Sequence, residues 1–362
     1  MYLRIFNPDN DMALADFQPG YTAPQRIRTM VDELAEFPLS WADAYPTLTF
    51  NPLTRLALLH TEEGEAPVAV THYNQLGTLY PGEDLVISPW GWSPALVHAL
   101  RLWGCPEELF PDSEKLIKVR RLSSRETAVE MLADLMADNS DKALVGESRF
   151  CRSWQEAEAA IKAHTKTILK APWSSSGKGI RMAQSSDAEA TRTWVERTLR
   201  LQGGVAIEPL YPRLADLAME FLCHEGSVSY EGLSLFATNE QGAYRGNLLM
   251  PEREKEEWVT QYIAPDTLTH ARKLLMRHIA TRIAPHYDGP LGIDMIITTD
   301  HRLHPLIEIN LRTTMGMAAL LIERKRGLQS GQLILDYAPG QALPPHSTLL
   351  AGGEHFRIYL HD

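Results

Sequence analysis

Residues 165–211 read TKTILKAPWSSSGKGIRMAQSSDAEATRTWVERTLRLQGGVAIEPLY, and their order of elements decides the fold class. TKTILKAPW is a predicted strand, SSSGKG a loop, IRMAQ a strand, DAEATRTWVERTLRLQ a helix and GVAIEPLY another strand. A loop of three serines and two glycines presents backbone N–H groups and hydroxyls to an anion without side-chain obstruction. Serine and glycine also cluster in plain solvated turns. The comparison with the Walker loop fails on spacing, because Pro172 stands where the first glycine belongs and Gly179 where Ser or Thr belongs. The loop also runs into a strand rather than a helix, which makes it a strand-to-strand flap. Lys170, at the end of the incoming strand, offers that flap's ligand a compact positive charge.

A second stretch, residues 291–316, reads LGIDMIITTDHRLHPLIEINLRTTMG and forms a predicted antiparallel hairpin. Glu308 and Asn310 are two apart, so they share one strand face, while Ile307 and Ile309 take the other. A hairpin symmetric about His301 places Asp294 opposite Glu308 on that face. Opposed like charges cost roughly 0.2–1 kcal/mol, and more when water is removed. A hard divalent cation reverses that sign, and two carboxylates with an amide oxygen suit a magnesium ion that shares substrate phosphates. Arg312 adds a fixed guanidinium able to stabilise charge on a transferring phosphoryl group. His301 and His304 have an H-x-x-H spacing, but at a hairpin tip they read as exposed turn residues.

Outward from these stretches, the first third alternates short strands (YLRIF, PVAV, DLVIS) with the helical runs QRIRTMVDELAEF and SPALVHALRLW, an α/β pattern consistent with a small Rossmann-like sheet. PEELFPDSEK, beginning at Pro106, marks a linker. Ser123 with Glu126 forms a predicted capping box before a helix. Residues 266–287 give a long helix with Leu268, Ala271, Leu275, Ile279 and Ile283 on one face. The acids of NPDNDMALA read as helix caps or as groups facing a ligand at a strand's carboxyl end. Trp90 and Trp92 of SPWGWSP either border a pocket or pack a domain interface.

Composition sets the outer limits. The chain has 362 residues, 44% hydrophobic and 22% charged, with 46 acidic against 35 basic side chains and a formal charge of -11. No domain-wide basic field exists to hold a nucleic acid or an anionic membrane, so a phosphate must be held by local groups. Cys105, Cys151 and Cys223 are too few and too far apart for a disulfide framework. Arg4, Asp9, Asp11 and Asp16 interrupt any apolar leader, which leads to an expected cytoplasmic location.

Taken together, ILKAPWSSSGKGI, VAIEPLY, LGIDMII and LIEINLRTTMG resemble the ATP-grasp superfamily over roughly residues 115–325. The resemblance implies an α/β plus α+β fold: a small Rossmann-like domain at 1–114, then a two-subdomain ATP-grasp module at 115–362 with antiparallel sheets and a lid subdomain at about 165–210. It implies ATP and Mg²⁺ as cofactors. Lys170 matches the lysine that contacts the α- and β-phosphates, and Ser174, Ser175, Ser176, Gly177, Lys178 and Gly179 match the lid. Glu208 falls where the hinge strand reads adenine, and Asp216 resembles the ribose-binding acid, with Glu220 as the other candidate. Asp294, Glu308 and Asn310 match the magnesium ligands, and Arg312 matches the arginine of E-x-N-x-R. Lys118, Arg120 and Arg121 compete for a second nucleotide-contacting base. Gly292, where D-alanine:D-alanine ligases carry arginine, argues against that substrate class. The implied activity joins a small-molecule carboxylate to an amine through an acyl phosphate. A kinase of the same superfamily and a silent nucleotide-binding protein are the alternatives. Members often form homodimers.

Overall fold

The structure, a computed structural model, describes residues 1–62, 66–174, 179–184, 188–238 and 244–362. Ser175, Ser176, Gly177 and Lys178 of the expected lid lie outside the described residues. The chain forms two compact units. One combines Met1–Lys118, Arg245–Pro251 and Arg312–Asp362; the other combines Val119–Tyr244 and Glu252–Leu311.

In the first unit, strand Tyr2–Ile5 lies at the centre of a run of three parallel strands, flanked by Thr47–Asn51 and Val86–Pro89. Leu56–His60 and Val68–Val70 extend the sheet in antiparallel fashion, so the five strands form a mixed sheet. Parallel strands are covered on both faces and therefore read as nearly continuous apolar runs. Leu3, Ile5, Leu48 and Phe50 accordingly pack with Leu96, Leu100 and Trp103 from the helix Pro94–Leu102 and its end. A second core joins Phe6, Phe37 and Trp90 to Ile322, Leu333 and Ile358. The last three come from the helix Met315–Arg326 and from the antiparallel strands Gln332–Tyr337 and Phe356–His361. Trp90 is buried edge-on against Phe6, ring centroids 5.0 Å apart, so it serves packing.

The second unit holds two antiparallel groups. Arg149–Cys151, Val205–Pro209, Lys166–Lys170 and Ile180–Gln184 form a four-stranded sheet in that order. Helices Trp154–Lys162 and Ala188–Gln202 accompany it, with a core that includes Cys151, Ala157, Leu169, Val195 and Ile207. The other group runs Leu303–Asn310, Gly289–Thr298, Arg213–His224 and Ser227–Thr238. Helix Pro265–Arg282 buries Leu268, Ala271, Leu275 and Ile279, the apolar stripe expected of it. The helix Arg125–Ala137 starts one residue later than the capping-box pattern predicts. Ser124, not Ser123, is its cap, with the Ser124 hydroxyl accepting from the Glu126 amide at 3.2 Å. No helix among the described residues is long and apolar enough to cross a membrane.

Candidate active site

The geometry begins with strand register. Asp294 pairs directly with Glu308, and Gly292 with Asn310, so the strand pleat sends Asp294, Glu308 and Asn310 to one face. Nearer the tip the register slips, pairing Ile296 with His304. The slip leaves the hairpin symmetry intact where the carboxylates stand. The adjoining strand sets Ala218 opposite Asp294, Glu220 opposite Gly292 and Asp216 opposite Ile296. Four carboxylates therefore project from one sheet face.

Two of the four, Glu308 and Asp216, are answered by arginines. Arg125, the first residue of its helix, is 4% exposed. Its Nη2 donates to Glu308 at 2.8 Å and to the Ser174 hydroxyl at 3.1 Å, and its Nε donates to the Ala171 carbonyl at 3.0 Å. Its Nη1 is buried without a hydrogen-bond partner. A single guanidinium thus ties the carboxylate hairpin to the residues that follow Lys170. Asp216 accepts from Arg213 at 3.0 Å and from the Thr238 hydroxyl at 2.9 Å. Lys170 donates to Glu208 at 2.6 Å, and both are buried, the condition under which paired charges survive loss of water.

Burial, reinforced by the positive charge of Lys170, pushes the His304 imidazole down to about 3, so that ring is neutral. It is fully buried with Tyr211 edge-on at 5.1 Å, which corrects its reading as an exposed turn residue. The turn is shorter than that reading allows, since the strand resumes at Leu303 and His304 pairs with Ile296 inside the ladder. His301 stays in the turn with φ 60° and is exposed.

Arg312 lies in the first unit. Its Nε and Nη2 reach the same Asp11 carboxylate oxygen, at 2.9 and 2.8 Å. Asp11 belongs to NPDNDMALA, which sits on the helix Asn10–Asp16 after the first strand. One acid of that motif therefore orients a candidate catalytic side chain. Sequence spacing held no signal for the pair, whose members are 301 residues apart. Arg125 was likewise absent from the basic residues the sequence put forward. Of those, Arg120 instead stacks its guanidinium over the Trp173 ring at 4.1 Å.

No family's sequence profile matches the chain. A curated relative, the [butirosin acyl-carrier protein]–L-glutamate ligase of Niallia circulans, is 23% identical over 334 residues, covering 90% of this chain and 75% of the relative. Among solved structures, N5-carboxyaminoimidazole synthetase from Staphylococcus aureus complexed with ADP superposes with a TM-score of 0.50 at 13% identity. That match covers 100% of this chain and 93% of the other. A biotin carboxylase–β-γ-ATP complex from Campylobacter jejuni gives 0.50 at 11% identity, covering 79% and 78%. The chain has the ATP-grasp fold.

The donor set suits what an ATP-grasp site has to hold. Among the described residues no three His, Cys, Asp or Glu side chains form a metal cage. Two opposed carboxylates plus an amide oxygen match magnesium instead, since that ion keeps waters and phosphate oxygens as its other ligands. The residues on either side of the serine-glycine loop are also shaped for close approach. The Ala171 amide donates to the Gly179 carbonyl at 2.8 Å. Gly179 has φ 78°, and a Cβ there would stand 2.8 Å from Ser174 Cβ. A side chain at 179 is therefore excluded both by conformation and by space.

Proposed function

We propose that this ATP-grasp protein is an ATP- and magnesium-dependent ligase that activates a carboxylate as an acyl phosphate and joins it to an amine, releasing ADP and phosphate. The observation that carries the reading is Arg125 gripping Glu308, opposite Asp294, while bonding the Ala171 carbonyl next to Lys170. Carboxylates for a cation and a lysine for phosphates are thereby tied together by one buried side chain. The ligase named for the Niallia circulans relative supports the same reaction class.

Bound Mg-ATP would supply the transferable phosphoryl group; the protein's part is positioning and charge neutralisation. Asp294, Glu308 and Asn310 hold the magnesium ion. Lys170, with Arg125, faces the phosphates. Glu208 orients Lys170 and reads the base, and Asp216 holds the ribose. Arg312, oriented by Asp11, is the candidate for stabilising charge on a transferred phosphoryl group. The three buried free thiols fit a reducing cytoplasm.

Incubation with ATP, Mg²⁺ and paired carboxylate and amine pools tests the reading. ADP release that requires both partners, with a heavy-oxygen label passing from the carboxylate to phosphate, is the expected result. A stable phosphorylated product formed without an amine would mean a kinase.

A further inference from the structure

The first unit contains a cavity of about 530 Å³ that the nucleotide chemistry does not use. That volume falls within the about 300–1,000 Å³ typical of small-molecule sites. It opens where ligands enter sheets with parallel strands, beyond the strands' carboxyl ends. Asp9 follows the strand Tyr2–Ile5, Thr54 follows Thr47–Asn51, and Ser93 follows Val86–Pro89. The helix Gln25–Glu33 contributes Gln25, Arg28, Thr29 and Asp32 at helical spacing, with Val31 and Glu33 beside them. Its other side sends Met30 into the apolar core. Gln25 and Asp32 stand at the exposed rim and Arg28 and Thr29 are half-buried, so this wall of the cavity is polar and open to a polar occupant.

The groups lining the cavity leave their bonding capacity open. Burial raises the Asp9 carboxyl above the ordinary range; a hydrogen bond from its own backbone offsets only part of this, and the nearby Asp11 charge adds to the rise. No salt bridge reaches Asp9 among the described residues, and its side chain does not cap the helix it precedes. The Tyr21 hydroxyl is buried without a hydrogen-bond partner, and burial together with the Asp9 and Asp16 charges pushes its ionisation up. Arg28 binds Gln25 through Nη2 while its Nε is buried and unpartnered. An acid without an ion pair, an unpartnered guanidinium nitrogen and an unpartnered hydroxyl thus share one cavity among the described residues. Buried polar atoms without partners are costly, and a ligand of complementary charge removes that cost.

We propose that this cavity binds a free α-amino acid, its ammonium on Asp9 and its carboxylate on Arg28 with Tyr21 donating beside it. The proposal rests on the ligase reading for its role, since an α-amino acid carries the amine that such a reaction consumes. A zwitterion alone answers both signs of charge without adding net charge to the pocket.

The experiment is calorimetric titration of the full chain with the proteinogenic amino acids, their N-acetyl forms and their carboxamides, with and without Mg²⁺ and a non-hydrolysable ATP analogue. At least one free amino acid is expected to bind saturably, and its N-acetyl and carboxamide forms to bind at least about ten-fold more weakly, the size of one lost charge-assisted bond. Asp9→Asn and Arg28→Gln should each weaken that binding by a similar factor while leaving binding of the ATP analogue within about two-fold, below one such bond. Retained circular dichroism and Tm show that the variants are folded. Saturable binding by no free amino acid, or equal binding by wild type and both variants, overturns the proposal. Amino-acid binding without Mg-ATP binding would instead sink the ligase reading and leave the pocket standing.

Discussion

The carboxylate face of the second unit and the cavity of the first unit are built from the same side-chain types and treat charge in opposite ways. On the sheet face, Glu308 meets Arg125 and Asp216 meets Arg213, while on the four-stranded sheet Glu208 meets Lys170. In the cavity, no ion pair reaches Asp9 among the described residues, and the Tyr21 hydroxyl and Arg28 Nε are buried without hydrogen-bond partners there. The first arrangement holds its geometry with the protein's own charges, ready to exchange partners when phosphates arrive. The second leaves its polar atoms for a ligand to complete, at a cost in stability.

Removing one member of a matched pair should therefore cost the most. Lys170→Met strands the buried Glu208 carboxylate and is expected to lower unfolding stability by about 3–5 kcal/mol in urea titrations. The double variant Lys170→Met/Glu208→Leu should recover most of that loss while triphosphate binding stays lost, which separates the pair's structural role from its functional one. Arg125→Met should cost about 1.5–3 kcal/mol, because Glu308 and the Ala171 carbonyl lose a charged donor. Added Mg²⁺ should raise the Tm of this variant more than that of wild type, since the cation answers the two opposed carboxylates in place of Arg125.

An unmatched group should respond with the opposite sign. Asp9→Asn is expected to gain about 0.5–2 kcal/mol at neutral pH by removing a desolvated charge. The folded state holds the Asp9 proton more tightly than the unfolded chain does. The penalty of wild-type Asp9 is therefore present above its raised folded pKa and fades as pH falls toward the ordinary value of 3.8. Thermal melts of both proteins across acid pH should converge.

The smallest effect belongs to Glu33 and His355, which join the helix Gln25–Glu33 to the C-terminal hairpin. Burial disfavours the Glu33 charge, but the Phe356 amide and the His355 side chain and amide outweigh it and hold that carboxyl low. The hydrogen bond to Glu33 in turn holds His355 above its ordinary value. The Glu33 contribution is present above the unfolded value of 4.5 and is lost as pH falls through the lower folded one. The His355 contribution is present below the unfolded value of 6.5 and is lost as pH rises through the higher folded one. Glu33→Gln should flatten a shallow stability plateau between those limits in pH-dependent melts.

What could be read from the sequence followed from local periodicity. The Asp294–Glu308 pairing was legible because a strand repeats every two residues and a short turn fixes where two strands meet. The strand-loop-strand-helix-strand order around Lys170 was legible for the same reason. The cap was misplaced by one residue because Ser123 and Ser124 are both competent, and only the chain's path selects between them. Arg125 was missed because its partners Ala171, Ser174 and Glu308 lie 46, 49 and 183 residues away. The Arg312–Asp11 clamp and the cavity share that character, being assembled from strand ends and loops with no fixed spacing.

The most direct test of the central claim is calorimetric titration of ATP into the wild-type chain and the Asp294→Asn variant, each with Mg²⁺ and with EDTA. The account predicts wild-type binding that depends on Mg²⁺ and weakens by at least about ten-fold in the variant, as loss of a metal-site ligand implies. Equal affinity in all four titrations would contradict it.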